Sequence, residues 1–546
     1  MGTQHSLENA YDRGTFGISR RTFVELAAAA GITAVGGALV FPDAQAQAKF
    51  TEPVQTSWPS LTDSGKVRFT VHSDTHIGSN TNNNWADKVP AAFKAIYEIC
   101  PDIDAHFFVG DSTDTGAPKQ YDELADLLND NAQAPVGIVM GNHEYYYWMA
   151  RANNDGTGPT QGYWREIAPH VTEVTDPSYE VDAEDEFCKF VDRKLKVEGS
   201  FQIPGGPNAG EIDCDFVVGG DGTPGSGYHV IAASPRVGGY DHRFYGDTLD
   251  WIREHLAAAA QEDPNKPIFL LTHHPFGNTV WYSVGGSWNG QFGEDISETE
   301  GNDNAFYHEI AAQYPQLIHF SGHTHVPMVD PRSIYQDDGC TLVQTATFAN
   351  NFWMIEPDYD ETGSYGGHPD SGQDASQCEL VEIDTATDEV TIYRLDFREG
   401  AVLGQPWTVD ASHGVDGLQY TTDKMEAASA APVVDSDAQV TVTGGSDGVS
   451  FAITADKVHA DTAALPNDVV LAYRVEVHEG DASGEVDYDA RYMSDYYKVS
   501  ADRAASFERP LFGSVLKGGR DYTLVAYAVN AFGKESKVGE ASFSLA

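Results

Sequence analysis

Five short polar clusters run along the chain in the order Asp74-Thr75-His76, Gly110-Asp111, Gly141-Asn142-His143-Glu144, His273-His274-Pro275 and Gly322-His323-Thr324-His325. Carboxylate and imidazole are the ligands suited to Zn, Fe, Mn and related ions. Pairs separated by one residue, such as Asp74 with His76 and His323 with His325, let two side chains leave a strand end on the same side. A lone histidine is more often a satisfied structural residue. Five clusters of the same character point instead to one shared metal site.

The elements that would position these clusters are legible next to them. "VRFTVHS" (67–73), "AHFFVG" (105–110), "VGIVM" (136–140), "PIFLLT" (267–272) and "LIHFSG" (317–322) read as short buried strands, each ending at a cluster. Between them, "WADKVPAAFKAIYEI" (85–99), "KQYDELADLLND" (119–130) and "TLDWIREHLAAAAQ" (248–261) carry apolar residues at helical spacing. The alternation from about Gly65 to Phe397 predicts an α/β domain, and polar groups just past strand ends are where open α/β sheets place ligand sites. Residues 145–227 read as an irregular insertion rich in Gly, Pro and Asp, too long for a simple connection. "ELVEIDTATDEVTIYRLDF" (379–397) alternates as a β-hairpin about a Thr-Asp turn. Past a loose stretch at 398–430 the signals become all-β: "VVLAYRVEVHEG", "YYKVSADRAASFERPLF" and "DYTLVAYAVNAFGKES" read as strands of a small sandwich.

The order D-x-H, G-D, G-N-H-E, H-H-P, G-H-T-H resembles the calcineurin-like metallophosphoesterase superfamily over roughly residues 65–400. The resemblance implies a four-layer α/β/β/α sandwich with a two-metal centre (Mn, Fe or Zn, divalent or trivalent) at the strand ends. Carried over residue by residue, Asp74, His76 and His325 hold one metal, Asn142, His273 and His323 hold the other, and Asp111 bridges them. His273 is preferred to His274 because the family's ligand stands two residues before the proline. A bridging carboxylate sets two cations about 3.5–4 Å apart, within reach of one phosphoryl group. Asn142, a neutral ligand, keeps its metal more electrophilic than a further carboxylate would. The implied reaction is hydrolysis of a phosphomonoester or phosphodiester by in-line attack of metal-bound hydroxide. His143 takes the family's role of catalytic proton donor or electrostatic stabiliser, and Asp114 and Glu144 are candidates for orienting the imidazoles. Purple acid phosphatases carry a metal-binding tyrosine three residues after the bridging aspartate. Asp114 stands there in this chain, so no tyrosinate–iron chromophore is expected.

Around this core the expected organisation is a twin-arginine signal peptide (1–48), the phosphoesterase domain (49–410), a linker (411–430) and a fibronectin type III-like β-sandwich (431–546). The signal reading rests on Ser19-Arg20-Arg21-Thr22-Phe23-Val24, a weakly apolar stretch from Leu26 to Phe41 and small residues at Ala44, Ala46 and Ala48. It predicts an extracellular, periplasmic or cell-surface location. No later segment is apolar enough to span a bilayer. The 546 residues carry a formal net charge of −50, from 83 acidic and 33 basic side chains. Such a surface repels nucleic-acid backbones and anionic membranes, so no nucleic-acid binding by general charge is expected. The partner is then a small-molecule or polymer phosphoester, met by local positive charge. The five cysteines, Cys100, Cys188, Cys214, Cys340 and Cys378, form no C-x-x-C pair. Their spacing argues against a structural zinc site, while export permits a disulfide or two.

The run Tyr145-Tyr146-Tyr147-Trp148 after Glu144 has two readings: rings packed into the core, or an aromatic wall beside the metals, joined by Trp281, Tyr282 and Trp288. Arg236 and Arg243 are candidate phosphate clamps. A reading from another functional class makes the C-terminal β-domain a cell-surface binding or adhesion module. The complete ligand set favours the enzyme.

Overall fold

The computed structural model describes residues 57–78, 85–153, 178–200, 212–238, 241–243, 246–277, 279–281, 283, 303–351, 376–411, 417–445, 448–511 and 516–545, with short pieces at 33–35, 38–40, 53, 359–360 and 373–374. The twin-arginine stretch, Tyr282 and Trp288 lie outside the described residues, as do the side chains of Arg236 and Arg243.

Two β-sheets face each other. The first has seven strands: parallel β1 (Lys66–His72), β2 (Ala105–Val109) and β3 (Val136–Val139), extended past β1 by the antiparallel hairpin of β4 (Gln377–Asp384) and β5 (Val390–Asp396) and two short strands on β5. In the second, of six strands, β6 (Tyr228–Ala233), β7 (Ile268–Thr272), β8 (Leu317–Ser321) and β9 (Thr341–Gln344) run parallel, with Cys214–Val218 and Ile334–Tyr335 as antiparallel edges. Period-two alternation assigns the faces. Val67, Phe69 and Val71 of β1, Phe107 and Val109 of β2, Phe269 and Leu271 of β7, and Ile318 and Phe320 of β8 meet between the sheets. Phe108, Ile138 and Leu380 on the far face of the first sheet meet the helices α1 (Trp85–Ile99) and α2 (Pro118–Asn131) through Val89, Phe93, Ile96, Leu124 and Leu128. On the far face of the second, Ile231, Ile268 and Leu270 meet Ile252 and Leu256 of a helix at Gly246–Glu262 and Phe306 and Ile310 of one at Asp303–Gln313. Each Phe, Leu or Ile fully withdrawn from water contributes about 1.5–3 kcal/mol. Burial on both faces explains why the strands read as continuous apolar runs. The layers are α/β/β/α, as expected.

Three expectations need correction. The insertion after Glu144 is in part regular: α3 (His143–Asn153) and a helix at Ser178–Lys189 flank the undescribed 154–177. The second helix packs Ala183 and Phe187, and the π-helical turn that continues it at Phe190–Lys194 packs Phe190 and Val191, into the α1/α2 core, a helical spacing masked in the sequence by the acidic residues between them. Second, "YYKVSADRAASFERPLF" is a strand only at Ser506–Pro510, and Ser500–Asp502 forms a single 3-10 turn. Third, all five cysteines are buried free thiols, so no disulfide forms.

The C-terminal part is a two-sheet β-sandwich. A three-stranded sheet (440–445, 448–454, 506–510) faces a sheet whose main strands are Val470–Glu479, Val486–Met493, Arg520–Asn530 and Glu535–Leu545. Phe451, Ile453, Tyr473, Val475, Tyr492, Phe507 and Leu524 fill the space between them. The two parts interlock. Tyr359–Asp360, from the α/β part, adds an edge strand to Val486–Met493, with Tyr359 opposite Arg491 and Asp360 opposite Ala490. Ser500 donates to Glu399, Gln405 N donates to Asn467, and Val329 packs on a cluster of Val469, Leu471, Met493, Tyr496, Tyr497 and Ala531.

Candidate metal centre

Each candidate ligand follows the C-terminal end of a parallel strand: Asp74 and His76 after β1, Asp111 after β2, Asn142 after β3, His273 after β7, and His323 and His325 after β8. The chain turns sharply at these points. Among the described residues seven non-glycine positions have positive φ, and five of them are Asp74 (54°), His76 (47°), Asp111 (48°), His323 (69°) and His325 (55°). A side-chain-bearing residue held there costs on the order of 1–3 kcal/mol. The reward is that both members of each D-x-H or H-x-H pair bend off the strand axis toward the same space. Two glycines permit the close approach. A Cβ on Gly141 would lie 2.3 Å from Asp111 Oδ1, and one on Gly322 would lie 2.6 Å from Asp74 Oδ2.

The structure brings all seven together in two adjoining groups. In the first, His325 Nε2 lies 3.0 Å and His76 Nε2 3.8 Å from Asp74 Oδ1, and the two imidazole nitrogens are 3.2 Å apart. In the second, His273 Nε2 lies 3.1 Å from Asn142 Oδ1 and 3.1 Å from Asp111 Oδ2, and the His273 and His323 rings are 5.1 Å apart. Asp111 Oδ2 also faces His76 Nε2 at 4.0 Å, so one oxygen looks into both groups. His274 stands beside His323, with ring centroids 4.2 Å apart, and could serve with His273 and His323 in a three-imidazole set.

The remaining lone pairs and protons are committed in a way that leaves these atoms facing inward. Asp74 Oδ2 accepts from Ser73 Oγ (2.6 Å) and His323 N (2.9 Å), which turns Oδ1 to the imidazoles. Asp111 Oδ1 accepts from His143 N (2.8 Å), which turns Oδ2 to the site. His273 donates from Nδ1 to the Val109 carbonyl (2.8 Å), so in its neutral form the ring presents a bare lone pair at Nε2. That lone pair, a carboxylate oxygen and an amide oxygen then meet with no donor among them, an arrangement that repels itself unless a cation sits inside. The nitrogen and oxygen donor set suits Zn, Mn or Fe. The residues therefore fit a pair of metal ions.

Electrostatics agree with this demand. Burial works to raise the Asp111 carboxyl, but the imidazoles of His143, His273 and His76 hold it far below the usual carboxylate range. Asp74, also opposed by burial, is held low by His325, His76 and His273. Against burial, Asp114, Asp74 and Asp111 push His76 up to about 10, and Asp111 and Asp74 push His273 up to about 9.

His143 lies against the site beside His76 and Asp114, with which it forms a further close group. Its Nδ1 donates to the Asp114 carbonyl (2.7 Å) and its Nε2 points at Asp111 Oδ2 from 3.7 Å. Burial, only partly offset by Asp111, holds it down at about 4. Asp114 Oδ1 lies 3.5 Å from His76 Nδ1. The Glu144 carboxylate accepts from the N–H groups of Gly141 (2.7 Å), Thr113 (2.8 Å) and Asp111 (3.0 Å), tying the loops after β2 and β3 together. Ser73 and Thr113 were not singled out from sequence. Ser73 directly precedes Asp74, but nothing in its residue type announces a bond to the carboxylate.

The aromatic run divides by helix phase. Tyr145 and Trp148 are core, bonding the Pro235 and Gly116 carbonyls, whereas half-buried Tyr146 faces the site. Trp281 carries the Arg332 guanidinium 3.3 Å above its ring, itself fixed by Asp330, so one face of this expected wall residue is already covered.

Residues 67–327 match the family model described as calcineurin-like phosphoesterase, a span that contains all seven residues and His143. Among solved structures the chain is similar to a purple acid phosphatase from yellow lupin (Lupinus luteus) seeds, with 12% identity and a TM-score of 0.37 over 66% of this chain and 55% of that one. It is similar to a putative 5'-nucleotidase from Staphylococcus aureus, with 11% identity and a TM-score of 0.29 over 87% and 94% of the two chains. It is also similar to the Plasmodium protein described as the anchor in the inner membrane complex, with 8% identity and a TM-score of 0.35 over 63% and 88%. The chain thus spans about half the length of the lupin enzyme. No curated protein sequence matches it.

Proposed function

We propose that the calcineurin-like phosphoesterase domain at residues 67–327 makes this chain a metal-dependent phosphoester hydrolase, with Asp74, His76 and His325 holding one ion, Asn142, His273 and His323 the other, and Asp111 shared. The observation that carries this reading is the single oxygen Asp111 Oδ2, which faces His273 Nε2, His143 Nε2 and His76 Nε2 at 3.1, 3.7 and 4.0 Å. Two bound cations would supply Lewis acidity toward the phosphoryl oxygens and an activated water. The chain's own part is to hold the donors rigidly and to move a proton. His143, fixed through Nδ1 on the Asp114 carbonyl, presents Nε2 as the atom that exchanges a proton with a reacting oxygen and steadies developing charge. The protein loaded with Mn, Zn or Fe is expected to turn over p-nitrophenyl phosphate or its bis ester. His143→Ala should lower kcat by about 10²–10⁴-fold. Silence of the fully loaded protein on both monoesters and diesters would sink the reading.

Export belongs to the same proposal and is supported by Arg20-Arg21 and the weakly apolar stretch after them. Changing both arginines to lysine is expected to keep the chain inside the cell, and undiminished export would argue against this route. The C-terminal sandwich is read as fibronectin type III-like, on the strength of its strand pattern. Its contacts with Val329, Glu399 and Gln405 support a role in bracing the phosphoesterase part.

A further inference from the structure

We propose that Tyr146 is a positioning residue that fixes the amide of Asn142, so that its hydroxyl controls metal affinity at the second position. The inference rests on the reading of Asn142 as a ligand given above. Asn142 directly precedes α3 and Tyr146 lies one turn further on, so the two side chains share a helix face. Asn142 Nδ2 donates to Tyr146 Oη at 2.6 Å, while Oδ1 faces His273 Nε2 at 3.1 Å.

An asparagine amide is nearly symmetric in shape and opposite in chemistry at its two ends. The oxygen only accepts and the nitrogen only donates. Packing alone therefore selects neither orientation, and a flip would aim N–H groups at the place where a cation belongs. With the oxygen turned to the cation, the Tyr146 hydroxyl accepts from the nitrogen end and holds the amide plane in that pose. The rest of α3 holds the tyrosine in register. Tyr145 is anchored to the Pro235 carbonyl and Trp148 to the Gly116 carbonyl on the buried side, which turns residue 146 to the site. The same ring also steadies His143. The His143 imidazole lies between the Tyr146 ring (centroids 4.6 Å apart) and the His76 ring (4.4 Å), with Nδ1 held by Asp114.

Removing an outer partner of a metal ligand commonly costs about 10–100-fold in metal affinity. The test uses the full chain, stripped with a chelator and titrated calorimetrically with Zn or Mn alone. In Tyr146→Phe, one of two binding events is expected to weaken about 10–100-fold, with the melting temperature of the metal-free protein unchanged. On an Asn142→Ala background the same substitution should add nothing, because the amide it orients is gone. Wild-type affinity at both positions in Tyr146→Phe would overturn the proposal, as would a full additional loss on the Asn142→Ala background. An Asn142→Ala protein that binds both metals as wild type does would instead remove the ligand reading beneath it.

Discussion

At the scale of single residues, the chemistry depends on where a histidine sits more than on its being one. His72, His106 and His319 lie inside strands, sealed in the core beside Thr70 or Thr272. Burial holds His72 and His319 down at about 3, and His106 well below its ordinary value. They stay neutral as structural groups. His76, four residues after His72, has left the strand and faces three carboxylates. In "VHSDTH" both imidazoles look alike, and only the strand boundary separates a core residue from a candidate ligand. The spacing of the polar clusters was therefore readable, whereas the left-handed backbone at Asp74, His76, Asp111, His323 and His325 was not. Such strain is imposed by the surrounding sheets and has no signature in residue type beyond the glycines that make room for it. The division of the aromatic run was equally hidden. It follows from the phase of α3, which is set by bonds to Pro235 and Gly116 far away in the sequence.

At the scale of elements, the sequence was most informative where one physical cause dominates. Strands buried on both faces produce apolar runs, and the five that carry clusters begin and end within a residue or so of where those runs do. The helix at Ser178–Lys189 was missed because its outer face is so acidic that composition outweighed the spacing of Ala183 and Phe187. Pairings between distant elements were also unreadable, and one carries a pH dependence. His229 on β6 donates to Asp215 on the edge strand Cys214–Val218 (2.9 Å) and reaches Glu262 of the helix at Gly246–Glu262 (3.4 Å); Asp215 is shared with His255 of that helix. The bond to Asp215 raises the His229 pKa, against burial, with Glu262 adding to it. A raised folded-state pKa contributes stability that is fully present below the unfolded value of about 6.5 and is lost as pH rises through the folded value. Thermal melts of His229→Gln against wild type should therefore differ most below pH ~6.5, by up to about 1 kcal/mol. The gap should close at higher pH, and a gap that widens with rising pH would contradict the assignment.

At the scale of the whole molecule, a surface with a formal charge of −50 surrounds a centre into which the carboxylates of Asp74 and Asp111 point. Charge balance at the site therefore calls for cations, and it is these that would let an anionic phosphoester approach. The division into an α/β part and a β-sandwich was legible from the change of pattern after about residue 400. That the sandwich takes an edge strand from Tyr359–Asp360 was not, because two residues carry no usable period. The most direct test of the central claim is a metal count on the full-length protein, stripped, reconstituted with Zn, Mn or Fe, and freed of excess metal. Wild type is expected to retain two ions per chain. Asp111→Asn, which replaces the shared oxygen by an amide, should lose at least one together with turnover. A wild-type protein that hydrolyses phosphoesters at full rate with one ion or none would contradict the account.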